Sequence, residues 1–231
     1  MPHLLPLWMS FAVASTATVL AIAVGVPLAW LLAKSRFRFS SVVEVIVLLP
    51  MVLPPTVIGY YLLLVFGREG TFGRLFESIT GSPLVFTPVA AVVATFVAAA
   101  PFLVRSSQGG FEQVDTAFED AARTLGHSEP NIFLRVSIPL AWRGILAGIA
   151  LCFARAMGEF GATLMLAGNI PGRTQTASMA VYDAVQGGNL ELALTLSIML
   201  SVTSAAALWL LTNVARTRNT DREHRGRANR K

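Results

Sequence analysis

Charge is what this chain has least of. Asp, Glu, Lys and Arg make up 13% of its residues and apolar residues 54%, whereas a soluble domain carries about 25% charged residues. So little charge cannot cover a water-facing surface, and so much apolar content excludes intrinsic disorder. Cysteine is nearly absent: Cys152 stands alone, which excludes a disulfide framework. The three histidines, His3, His127 and His224, lie too far apart to offer metal-ligand spacing, so neither a metal nor a cofactor is expected. Lysine occurs only at Lys34 and Lys231. Neither follows a glycine, so the Gly-Lys-Ser/Thr step of a phosphate-binding loop is missing and no ATP site is expected in the chain. Aromatic residues are missing from the arginine-rich C-terminal tail, which argues against nucleic-acid binding despite the net charge of +5.

What is present is a series of charge-free apolar runs, each long enough to cross a bilayer. The fold class expected is therefore an all-α, polytopic membrane bundle of five transmembrane helices at about 8–33, 45–66, 84–104, 144–167 and 192–211. A sixth helix is left open, since Ala177 to Val185 is apolar enough to dip back into the membrane. The first run has no charged segment before it and exceeds the length of a leader's apolar region, so it reads as a retained span. Pro50, Pro54 and Pro55 kink the second run, whose freed carbonyls must face protein or a water path. The fourth crossing must run on through Arg155 and Glu159, because Arg143 and Arg155 bracket only eleven residues. Residues 1–215 read as one membrane domain and 216–231 as a basic tail.

Basic residues set the expected orientation. With the N-terminus outside and the C-terminus cytoplasmic, fourteen basic residues fall inside, including Lys34, Arg36 and Arg38, and three outside: Arg68, Arg74 and Arg173. Arg105 to Arg143 holds nine charged residues, too many for lipid, and reads as a cytoplasmic loop of two short helices. The first runs from about Asp115 to Leu125 and stops at Gly126. Ser128 caps the second, with Glu129 and Pro130 in its first turn.

Asp120-Ala121-Ala122-Arg123-Thr124-Leu125-Gly126, nine further residues, then Val136-Ser137-Ile138-Pro139 resembles the Glu-Ala-Ala signature of ABC importer permeases, with its spacing met throughout. Asp120 stands where the signature has Glu, Val136 where it has Ile and Ile138 where it has Leu; Glu119, one residue earlier, is the alternative carboxylate. The stretch from Phe153 to Thr163, the run Gly168-Asn169-Ile170-Pro171-Gly172-Arg173-Thr174-Gln175-Thr176 and the early Leu53-Pro54-Pro55-Thr56-Val57-Ile58-Gly59-Tyr60 are similar to the oxyanion branch, and most to molybdate permease subunits. Sulfate permeases share the Gly-Glu-Phe-Gly-Ala core.

The resemblance implies a transport subunit with no catalytic residue of its own. Its implied partners are a second permease subunit in a homodimer, a cytoplasmic ABC ATPase dimer, an extracytoplasmic molybdate-binding protein and membrane lipid, with no nucleic acid. It implies that Glu119, Asp120, Ala121, Ala122, Gly126 and Pro139 form the ATPase-coupling loop. The expected pathway residues are Arg155, Glu159, Gly161, Pro54 and Pro55. Arg155 and Glu159 stand at i and i+4 on one expected helical face and pair there; the pair either lends positive potential to an anion path or locks the fourth span against its neighbours. Gly144 and Gly148 permit close helix approach, within the bundle or at a dimer seam. Cys152 reads as a small packing residue.

Overall fold

The structure, a computed structural model, describes residues 4–34 and 40–228; of residues 211, 212 and 214–228 it describes only the helical backbone. Arg36, Arg38, Arg230 and Lys231, all counted in the charge asymmetry, lie outside the described residues. Every regular element among the described residues is helical, because a chain in lipid must satisfy its backbone polar groups internally.

Helix α1 (Leu4–Lys34) is the first span. After it come α2 (Ser40–Leu48), a 3₁₀ turn (Leu49–Met51), α3 (Pro55–Phe66) and the short α4 (Thr71–Thr80). Helix α5 (Pro88–Glu112) starts at Thr87, whose hydroxyl accepts from the Ala90 amide at 3.2 Å. Helix α6 (Thr116–Thr124) precedes a continuous rod of 29 residues, Glu129–Met157. The rod comprises α7 (Glu129–Ile132), a π turn (Phe133–Ser137) and α8 (Ile138–Met157). Helices α9 (Gly161–Ala167), α10 (Ala177–Gln186) and α11 (Leu190–Ala228) complete the chain. Four of these helices are long and apolar enough to cross a membrane, and the bent pair α2–α3 brings the number to five if it is counted as one broken span.

The core is built on α5, which packs against α1 on one side and α8 on the other. Small residues allow this. Ala90, Ala91, Ala94, Ala98 and Ala99 of α5 and Ala14, Ala17, Ala21 and Ala29 of α1 are all buried. In lipid, where burial of apolar surface drives little, close backbone approach is the main source of helix affinity. At the α5–α8 crossing a Cβ on Gly144 would lie 2.7 Å from the Gly110 Cα, and one on Gly148 would lie 2.9 Å from the Leu103 carbonyl. The Ser106 hydroxyl donates to the Gly144 carbonyl at 2.9 Å. The glycine pair thus serves packing inside the bundle, and Cys152 is fully buried in the same core.

Four boundaries differ from those expected. The second run is broken rather than kinked: its two halves meet at 114°, because Pro50, Pro54 and Pro55 together leave too few amide donors to carry a helix through. The third helix continues past Arg105 to Glu112, where Arg105 bonds Glu44 at 3.1 Å and Gln108 at 3.3 Å instead of entering a loop. The expected loop 105–143 therefore shrinks to residues 113–128, and its second short helix is the first turn of the rod. The fourth span gains its length at its N-terminal side and ends at Met157 instead of reaching Ala167. Gly158 and Glu159 break it, so Arg155 and Glu159 do not share one helix.

Candidate functional site

Two clusters hold the expected site residues. The first surrounds α6. Asp115 caps it, its carboxylate accepting from the Ala117 amide at 2.9 Å. At the other end the His127 amide reaches back to the Ala122 carbonyl at 3.1 Å, and Gly126 takes φ +83°, the left-handed stop that a glycine permits. Arg123 ties the turn together, bonding Asp120 at 2.7 Å and Glu129 at 2.7 and 3.1 Å. Hydrogen bonding to Glu129 and then to Asp120 holds the Arg123 guanidinium above its ordinary pKa. The Arg123 bond likewise holds the Glu129 carboxyl below its own.

Helix α6 has two faces. Phe118 and Leu125 are 59% and 79% exposed, with Ala121 between them on the same side. Glu119 and Ala122 face inward. The two alanines are thus not both on the outer surface, because neighbouring residues on a helix point about 100° apart. The two carboxylates are likewise separated: the Asp120 side chain is 66% exposed and that of Glu119 1%. Glu119 pairs with Lys34 Nζ at 3.1 Å and accepts from the Ser137 hydroxyl at 2.7 Å. Pro139 is half-buried in the first turn of α8. The π turn just before it widens the helix where a proline cannot donate to the carbonyl four residues back.

The second cluster forms where α3, the second half of the broken run, meets α9, just beyond the end of the fourth span. Half-helices α3 and α9 lie against each other. A Cβ on Gly59 would be 2.6 Å from the Met165 Cβ, and one on Gly161 would be 2.8 Å from the Pro55 Cβ. A pocket of about 260 Å³ opens between them, lined by Pro55, Arg155, Glu159 and Gly161 among others. Pro54 is the residue immediately before α3. Arg155 Nη1 lies 2.6 Å from Glu159 Oε2 across the break, and Glu159 Oε1 accepts from the Ala162 amide at 2.8 Å. Glu159 is 1% exposed and Arg155 27%, so the arginine's charge is largely taken up by its own partner.

Sequence reasoning passed over three residues with structural work to do. Lys34 was counted only toward topology; its signal was to be the one lysine outside the tail. Thr174, fully buried, donates to the Gly168 carbonyl at 3.0 Å and accepts from the Ile170 amide at 3.1 Å. Asp183 accepts from Asn169 at 2.7 Å and Gln175 at 2.8 Å. The motif 168–176 is thus a self-bonded turn held against α10. Among the described residues no group of His, Cys, Asp and Glu could hold a metal ion.

Apolar helices long enough to cross a bilayer, a bent pair packed on a short helix and a bonded helical corner together make a helical membrane bundle. The backbone matches that of the MetNI methionine ABC transporter in its inward facing conformation, with a TM-score of 0.72 at 18% identity over 92% of this chain and 94% of that one. The fold is that of an ABC importer permease. A family model described as "binding-protein-dependent transport system inner membrane component" matches residues 25–219, and the chain belongs to that family. YvgM of Bacillus subtilis (strain 168) is 39% identical over 206 residues, 89% of this chain and 91% of its own. The molybdenum transport system permease protein ModB of Escherichia coli (strain K12) is 39% identical over 178 residues, 77% of this chain and 78% of its own. This chain is accordingly a multi-pass inner-membrane transport subunit and not an enzyme.

Proposed function

We propose that the chain moves molybdate across the cytoplasmic membrane as one half of a homodimeric pathway, driven by a separate ATPase dimer and fed by an external molybdate-binding protein. The observation that carries this reading is the 39% identity to molybdenum permeases over most of the chain, together with the full Glu-Ala-Ala spacing. Residues 1–215 form the permease domain, with the N-terminus outside and the tail 216–231 in the cytoplasm. The corner at 113–128 is the ATPase-coupling loop. Its outward face of Phe118, Ala121 and Leu125, flanked by Asp120, is apolar enough to seat in a partner's groove. Glu119, Ala122, Gly126 and Pro139 serve the loop from within by setting its position.

Pro54, Pro55 and Gly161 shape the constriction where α3 and α9 cross. Arg155 and Glu159 pin that break: a pair this close offers little net field to a passing anion, so its work is geometric. Selectivity then rests chiefly with the binding protein. The test is reconstitution of the chain with the ATPase and binding protein in proteoliposomes. ATP-dependent uptake of molybdate is expected, with excess sulfate competing weakly. Sulfate uptake that molybdate does not inhibit would reassign the substrate, and uptake without ATP would remove the importer reading.

A further inference from the structure

Glu119 adjoins the Glu-Ala-Ala segment yet is buried on the inner face of α6. Its carboxylate lies 1% exposed between the Lys34 ammonium at 3.1 Å and the Ser137 hydroxyl at 2.7 Å. The ammonium has a further bond to give and donates it to the Val114 carbonyl at 3.3 Å. Four segments therefore meet at one enclosed point: the last turn of α1, the chain just past α5, the inner face of α6 and the π turn that opens α8. A lysine also belongs at the end of α1 on general grounds, since a cation there complements the exposed carbonyls.

We propose that Lys34, Glu119 and Ser137 form a latch that makes the first span, the coupling helix and the fourth span move as one body, so that displacement of α6 by the ATPase reaches the bundle. The proposal rests on the importer reading above and adds a positioning role that the signature itself does not assign. Three features carry it. First, the pair is ionic and enclosed, so removing one partner strands the other charge; opening it is far costlier than opening an exposed pair. Second, little else buried holds α6: it is nine residues long, its remaining buried residue is the small Ala122, and its other tie to the rod, Arg123 to Glu129, is exposed and correspondingly weak. Third, the partner hydroxyl sits in a π turn, the part of the rod whose backbone is already displaced from regular α geometry.

The test uses the whole complex in proteoliposomes, with ATPase and molybdate-loaded binding protein. Its central variant is the double Lys34→Met/Glu119→Gln, which leaves no stranded charge and keeps an amide that the Ser137 hydroxyl can bond. Membrane level, ATPase co-purification, molybdate uptake and the ratio of carrier-stimulated to basal hydrolysis are measured together. The double variant is expected to assemble normally but to lose about tenfold or more of uptake and of the stimulation ratio, the scale of a typical coupling free energy. Lys34→Arg keeps the charge and is expected to retain most of both. Normal uptake and stimulation in the double variant would overturn the latch, and so would failure of that variant to accumulate, since the pair would then serve folding alone. The wild-type complex run alongside separates the two levels: a defect confined to the variants bears on the latch, and one shared by the wild type bears on the functional reading.

Discussion

At the scale of single residues, Gly126 states its role most plainly. Its φ of +83° is left-handed, and a Cβ built there meets nothing within 4 Å. The demand on this position is therefore one of backbone conformation and not of space. An ordinary L-residue in that conformation costs about 1–2 kcal/mol, a β-branched one more, and asparagine less than either. Gly126→Val is expected to reach the membrane at normal level yet lose most molybdate uptake, because α6 is re-aimed, whereas Gly126→Asn keeps most of it. Membrane immunoblots beside uptake assays check both. The need for this glycine was legible in the sequence, since a glycine closing a short helical run is a local pattern; the serine expected to cap the next helix stands at its N-terminus but makes no side-chain cap bond, its hydroxyl accepting from Asn131 at 3.2 Å instead. The opposite fates of Glu119 and Asp120 were not legible: two adjacent carboxylates look alike until a lysine some 85 residues earlier in the chain is folded against one of them.

Among the elements, the breaks matter more than the spans. Apolar runs declared themselves by hydropathy, and the prolines of the second run announced a disturbance. The extent of that disturbance, 114° between the halves, depends on α9 being available to pack against α3. The end of the fourth span at Met157 carried a weaker signal still. Gly158 alone would be tolerated in a helix at a cost of about 1 kcal/mol, and what ends the helix is the set of bonds gathered by Glu159, whose backbone carbonyl accepts from Ser178 at 2.8 Å while its carboxylate serves Arg155 and the Ala162 amide. Gly161→Val tests whether the crossing of the two half-helices governs transport. Its side chain would press on Pro55 from 2.8 Å and prise α3 from α9. The expected outcome is an uptake loss of about tenfold or more with ATPase co-purification unchanged, since the coupling corner lies on other elements and distant sites act nearly independently. Loss of co-purification as well would mean that the two sites are one structural unit.

For the whole molecule, orientation is the property that sequence charge addresses and a bare bundle does not. Fourteen basic residues on one side against three on the other strongly bias insertion. A reporter fused after Lys231 is therefore expected to be cytoplasmic and one inserted near Gly70 external, as read by a paired alkaline phosphatase and fluorescent-protein assay. The inverse pattern would place α6 on the wrong side for an ATPase.

By itself the sequence determined the solvent, the all-helical class and the family. Too little charge for water forces the chain into lipid, continuous apolar runs of about twenty residues cross it as helices, and a spaced motif is preserved in linear order whatever the fold. Only the tertiary structure decided where the second, third and fourth membrane helices break or end, which face of α6 turns inward and which charges find partners. Hydropathy and motif spacing are properties of a segment alone, whereas burial and pairing are properties of two segments that meet. Lys34 and Glu119, far apart in the chain and 3.1 Å apart in space, acquire their relation only when α1 and α6 are brought to the same corner of the bundle.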